Sequence, residues 1–209
     1  MDDARTVRLR DDSDDDETEA PPGTPVIFLD IHDVLCLSDP FGGHFAVRAI
    51  THKHSRTNQV YRHLFHPPAV AALRAVHVQM EGRVRYVIST TWRLHMNRNH
   101  MGEVMRLGGL DFVAGSLEQK SRWRTVSWPN QSRLQEVIAW LKRHGTGRPF
   151  VVIDDSCSGA SLVTASNARS GPFAGRVVLC QQEVGLLPEH VEKVVAALGR
   201  QFEGWPEGA

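Results

Sequence analysis

The chain has 209 residues, 24 Lys and Arg against 24 Asp and Glu, and 41% hydrophobic residues. That is enough for one α/β domain with a sizeable core, and too little for such a core plus a large separate cap. No apolar run approaches the roughly 18 residues of a membrane span, and the acidic N-terminus is unlike a secretory signal. Three cysteines without Cys-x-x-Cys spacing argue against a disulfide framework and fit a reducing, cytoplasmic setting.

The zero net charge hides an uneven distribution. Residues 1–24 hold nine acids and three Arg and end in Pro21-Pro22-Gly23, the composition of a disordered tail. The remainder carries 15 acids against 21 Lys and Arg, a net of +6 that mildly favours anionic ligands. The reading is therefore an acidic tail over 1–24, one folded domain over 25–201 and a loose C-terminal tail over 202–209.

In chain order, Val26-Ile27-Phe28-Leu29 is an apolar run that stops at Asp30, followed by Ile31, His32 and Asp33. A continuous apolar run is the mark of a buried parallel strand, and open α/β sheets carry their chemistry at the carboxyl ends of such strands. An Asp at that edge is costly to desolvate unless paired or metal-bound. The plainer alternative is an Asp that caps the turn after the strand. Residues 36–66 then read as irregular, with a short flap hairpin and five scattered His that form no organised zinc motif. Pro67-Pro68 open a helix with Val70, Leu73, Val76 and Met80 on one face.

Tyr86-Val87-Ile88 is the next strand, and it runs into Ser89-Thr90-Thr91-Trp92-Arg93. The loop from Lys120 to Pro129 mixes basic and aromatic residues, a combination that can hold a phosphate backbone and stack on a base, so nucleic acid is one partner the sequence allows. A packing role for the tryptophans is the plainer reading. A helix over 131–143 has Leu134, Val137, Ile138 and Leu141 as its apolar stripe, with Arg133 in the first turn, where the helix already attracts anions. The macrodipole does not favour a cation there, so Arg133 is a candidate anion ligand, with Lys120 in reserve.

Phe150-Val151-Val152-Ile153 is a further buried strand that ends in Asp154-Asp155. Val177-Val178-Leu179 is another strand, and Pro188 starts a last helix with Val191, Val194, Val195 and Leu198 toward the sheet. Three parallel strands that deliver Asp, Ser/Thr and Asp-Asp to one edge can build a Mg²⁺ and phosphate site. Mg²⁺ takes oxygen ligands from one or two carboxylates plus substrate phosphate, and a carboxylate can be a nucleophile toward phosphorus.

These segments resemble the motifs of the haloacid dehalogenase-like (HAD) superfamily. Asp30 and its flanks resemble motif I, Ser89 the motif II hydroxyl, and Asp154-Asp155 the acidic motif IV. Ser89-Thr90-Thr91-Trp92-Arg93, the helix from Arg133 to Trp140-Leu141, and Gly185-Leu186 resemble more narrowly the small HAD domains of Swiss Army Knife RNA repair proteins, over roughly residues 25–200. The resemblance implies a Rossmann-like core, mainly parallel and without a large cap, and Mg²⁺-dependent phosphoryl transfer. It implies Asp30 as nucleophile, Ser89 and Arg133 on the phosphoryl group, and Thr90, Arg93 and Lys120 near the substrate. The metal would be held by Asp30, Asp154, Asp155 and the backbone carbonyl of His32.

Two positions depart from the family pattern. His32 stands where the family has its acid/base Asp, and Asp33 where it has Gly. An imidazole can move protons in both directions near neutrality, so His32 is the candidate acid/base and Asp33 an alternative carboxylate. Asp also tolerates the left-handed backbone that Gly often marks. The expected function is a phosphatase acting on a large phosphorylated substrate, a protein or nucleic-acid end. The altered motif keeps open a non-hydrolytic scaffold for a phosphorylated partner or host protein, and a phosphotransferase whose acceptor is not water.

Overall fold

The computed structural model describes residues 20–38, 57–126, 130–145, 147–167 and 171–201. The acidic tail up to residue 19, residues 39–56 of the stretch 36–66 expected to be irregular with a flap hairpin, and the C-terminal tail from 202 lie outside the described residues, and Thr57–Arg62 of that stretch is helical. Among the described residues, four strands, β1 (Val26–Leu29), β2 (Arg85–Ile88), β3 (Phe150–Asp155) and β4 (Val177–Cys180), form one sheet in the order β2-β1-β3-β4. Every pairing is parallel, with Leu29 opposite both Ile88 and Ile153, and Asp154 opposite Leu179.

Seven α-helices accompany the sheet among the described residues: α1 (Thr57–Arg62), α2 (Pro67–Gln79), α3 (Arg98–Leu107), α4 (Asp111–Gly115), α5 (Arg133–His144), α6 (Ala160–Asn167) and α7 (Pro188–Gly199). Strand side chains alternate between two cores, as the pleat requires. Ile27, Leu29, Tyr86, Ile88, Val151 and Ile153 join Leu73, Val76, Val104, Val194 and Leu198 on one face. Val26, Phe28, Val87 and Val152 join Val137, Trp140, Leu162 and Phe173 on the other. Both faces of β1 and β3 are dry, which explains why they read as unbroken apolar runs.

The stripe expected on α5 is rotated. Its fully buried positions are Glu136, Val137 and Trp140, while Leu134, Ile138 and Leu141 are half-buried and flank the same core. Leu134 and its fellows are enough to mark the helix, but it is a carboxylate that faces inward. Ser132 and Gln135 close the N-terminus with a capping box.

The chain leaves β1 for the β2 side of the sheet and returns on the β3 side. The order therefore reverses between β1 and β3, the switch point at whose carboxyl ends open α/β sheets form their ligand crevice. Asp30 and Asp154 are the residues that stand there.

Candidate active site

The turn after β1 is tight. Leu35 and Cys36 backbone N–H groups donate to the Ile31 carbonyl, and the Asp33 N–H donates to Cys36 O. Asp33 occupies the left-handed region at φ 51°, the conformation that Gly usually supplies. The loop thus keeps its shape with Asp in place of Gly. The Asp33 carboxylate accepts from Ser38 N at 2.9 Å and Ser38 Oγ at 3.1 Å, so it closes the loop. From behind, Gly185 lies so close that a Cβ there would sit 2.9 Å from the Val34 carbonyl, and Leu186 N donates to that same oxygen. The Gly185-Leu186 pair is a brace for this turn. His32 is half-buried, its ring edge-on to Trp92 at 6.4 Å between centroids.

Asp30, Asp154 and Asp155 are buried and can bring one oxygen each within 4.8 Å of the others. Asp154 Oδ1 accepts the Asp155 N–H, and its Oδ2 accepts Arg133 Nε at 2.7 Å. Asp155 Oδ1 accepts from Cys157 N and Ser158 N, which fixes the turn after β3. Asp30 Oδ1 accepts Arg133 Nη2 at 3.2 Å. Its other oxygen, Oδ2, is buried with no hydrogen-bond partner. The Ser89 and Thr90 hydroxyls are in the same condition at the end of the neighbouring strand, where Ser89 N donates to Leu29 O. Buried polar atoms without partners are rare enough to need a reason. An anionic ligand that accepts from the hydroxyls, with a cation on the carboxylates, would satisfy all three.

Arg133 is the cation that meets the acids, its side chain 8% exposed. Besides Asp30 and Asp154 it donates to Glu136 Oε2 at 2.9 Å and to the Ser89 carbonyl. Arg93, expected near the substrate, is instead 2% exposed and spends its guanidinium on protein acceptors: Thr125 O, Ser89 O, Thr90 O and Glu136 Oε1 at 2.7 Å. An Arg this deep must be paired, and all four of these partners are protein groups. Lys120 is exposed at the start of a short 3₁₀ turn, apart from this network. Trp123 in the same loop is fully buried with Arg124 over its ring, so it is no stacking platform for a base.

The local charge count is unbalanced. Asp30, Asp154, Asp155 and Glu136 are four buried carboxylates, against the two guanidiniums of Arg93 and Arg133. Burial pushes the Asp30 carboxyl up to about 6 even though Arg133 pulls it down, with Asp155 adding to the rise. Burial, then the Asp30 charge, pushes Asp154 up to about 8 against the pull of Arg133. Burial lowers Arg133, but Asp154, Asp30 and Glu136 outweigh it and hold the guanidinium firmly charged. Two surplus negative charges on clustered oxygens suit a divalent, oxygen-seeking cation. The donor set therefore fits Mg²⁺.

Glu136 is a site residue that the sequence does not announce. Its one signal is an acid three residues after Arg133 on a helix whose buried face includes Val137 and Trp140.

A parallel sheet with a nucleophile-type Asp, paired hydroxyls, a cation and a second acidic strand end around one switch-point crevice defines a HAD-type phosphoryl-transfer core. The family described as "HAD domain in Swiss Army Knife RNA repair proteins" matches residues 26–191, and the chain belongs to it. No curated protein and no solved structure matches the chain.

Proposed function

We propose that the protein is a Mg²⁺-dependent phosphatase that works through an aspartyl-phosphate on Asp30. The observation that carries this reading is the buried, unpartnered Oδ2 of Asp30 beside the unpartnered hydroxyls of Ser89 and Thr90. Asp30 Oδ2 attacks phosphorus, and the bond from phosphorus to the leaving oxygen breaks. The leaving oxygen takes a proton from His32. Water then attacks the same phosphorus, gives a proton back to His32, and frees phosphate and the Asp30 carboxylate. Ser89 and Thr90 donate to the phosphoryl oxygens, and Arg133 offsets their charge as it spreads in the transition state. Asp30, Asp154, Asp155 and the His32 carbonyl would hold Mg²⁺, which would supply further charge compensation to the phosphoryl group.

A large substrate, a phosphorylated protein or nucleic-acid end, fits the net +6 charge outside the acidic tail. A cytoplasmic setting fits three free cysteines; no helix among the described residues is long and apolar enough to cross a membrane.

The second reading is a non-hydrolytic scaffold that holds a phosphorylated partner. It is favoured by His32 in the acid/base position and by Arg133 already bound to Asp30. A phosphotransferase keeps the first half of the mechanism and replaces water by another acceptor. Phosphate release from an aryl phosphate, with Mg²⁺ and with EDTA, separates the phosphatase from the other two readings, and a covalent phosphoryl-enzyme separates the phosphotransferase from the scaffold. The phosphatase reading expects Mg²⁺-dependent release that Asp30→Asn abolishes. Release that Asp30→Asn leaves intact would contradict it.

A further inference from the structure

We propose that Arg93 and Glu136 are a positioning pair, which holds Arg133 and the Ser89-Thr90 backbone in the geometry that receives a phosphoryl group; the inference rests on the phosphoryl-transfer reading above. Their hydrogen bonds run to each other, to Thr125, and to Ser89, Thr90 and Arg133, the residues that line the crevice.

Arg93 Nη1 donates to the carbonyls of Ser89, at 2.5 Å, and of Thr90. Those two residues own the unpartnered hydroxyls. Two bonds from one nitrogen fix the peptide units on both sides of Thr90, and so the backbone that carries the two hydroxyls. Arg93 Nε donates to Thr125 O at 3.0 Å, which ties this turn to the segment that covers the free edge of β2.

Glu136 joins the two cations. Its Oε1 accepts Arg93 Nη2 at 2.7 Å, and its Oε2 accepts Arg133 Nη1 at 2.9 Å and Thr125 Oγ1 at 3.4 Å. Arg133 is a long, flexible side chain, and two of its other bonds go to the acids that the metal must share. Glu136 offers it a fixed acceptor that the metal does not need. The Ser89 carbonyl receives both guanidiniums, so a shift of either cation moves the hydroxyl carrier as well. A buried carboxylate between two arginines costs desolvation and is retained only where charge and geometry are both satisfied. The chain Thr90–Arg93–Glu136–Arg133–Asp154 satisfies both.

The test measures binding of inorganic phosphate to the full chain in Mg²⁺ by calorimetry, alongside kcat and KM on an aryl phosphate. Glu136→Gln keeps the shape and removes the charge. We expect phosphate binding to weaken roughly tenfold to a hundredfold and kcat to fall on the order of a hundredfold, the usual scale for misplacing a reacting group by about an ångström. Because Glu136 bonds Arg133 directly and reaches Ser89 and Thr90 only by way of Arg93, Glu136→Gln should have little further effect on phosphate binding in an Arg133→Ala background. Val137→Ala, a cavity on the same buried helix face, should lower the melting temperature and leave phosphate binding unchanged. If Glu136→Gln does not fold, Arg93→Lys serves. It keeps a buried charge against Glu136 but gives up the carbonyl bonds, and the same weakening is expected.

Wild-type phosphate affinity preserved in a folded variant, or an equal loss with and without Arg133, would overturn the positioning role while the phosphoryl-transfer reading stands. A wild type that binds no phosphate in Mg²⁺ would overturn both.

Discussion

Without a divalent cation, the stability of this protein should fall as pH rises from about 5 to 8. Asp30 and Asp154 have folded-state values near 6 and 8, above the ordinary carboxylate value of 3.8. The folded chain therefore holds protons that the unfolded chain has released. The stabilising contribution is complete below about pH 4 and is lost as pH rises through 6 for Asp30 and through 8 for Asp154. A tenfold difference in proton affinity between the folded and unfolded chain corresponds to about 1.4 kcal/mol. Both groups are buried beyond solvent screening, so the pair accounts for roughly 5 kcal/mol across the window. For a domain of this size about 1 kcal/mol moves the melting temperature by about 2–4 °C. Melts in EDTA should drop by on the order of 10 °C between pH 5 and 8. Mg²⁺ competes with the protons, so its stabilisation should grow over the same range. Asp154→Asn removes the more strongly raised group and should flatten the EDTA profile. A wild-type profile that is flat or rises with pH, or one that Asp154→Asn leaves unchanged, would refute this charge balance at the site.

Asp33→Gly should keep the left-handed turn and lose only the Ser38 contacts, whereas Asp33→Ala should cost a further ~1 kcal/mol for its backbone conformation; chemical denaturation of the two variants reads the difference, and both should keep turnover. Gly185→Ala should destabilise by roughly 1–3 kcal/mol, because its Cβ would meet the Val34 carbonyl at 2.9 Å and must push the motif I turn forward; the loss should appear in both the melt and kcat. His32→Ala should slow hydrolysis by about 10²–10⁴-fold, the usual range for a lost acid/base, with His32→Asp retaining turnover. Steady-state assays check both, and His32→Ala at full rate would remove His32 from the mechanism.

Much of the fold is legible in the sequence because its strands are buried on both faces. Val26–Leu29 and Phe150–Ile153 offer no polar alternation that could confuse a parallel core strand with an edge. The reach of Arg133 to Asp30 and Asp154 is also foreseeable, since an Arg in the first helical turn has an anion as its natural partner. Arg93 and Glu136 are harder. The family resemblance places Arg93 near the substrate, and Glu136 carries no site signal in the sequence. Only the third dimension shows that they neutralise each other under the crevice. Asp33 misleads for a related reason. Its backbone conformation can be anticipated from the motif, but the Ser38 contacts that occupy its carboxylate come from five residues away.

Whether Asp30 carries the phosphoryl group can be read directly by mass spectrometry. Protein is incubated with an aryl phosphate and Mg²⁺, quenched in acid and digested, with the His32→Ala variant included to slow release of the intermediate. One phosphoryl group is expected on the peptide that contains Asp30, absent in EDTA and absent in Asp30→Asn. Turnover with the phosphoryl group on another residue, or turnover undiminished in Asp30→Asn, would contradict the assignment of Asp30 as nucleophile.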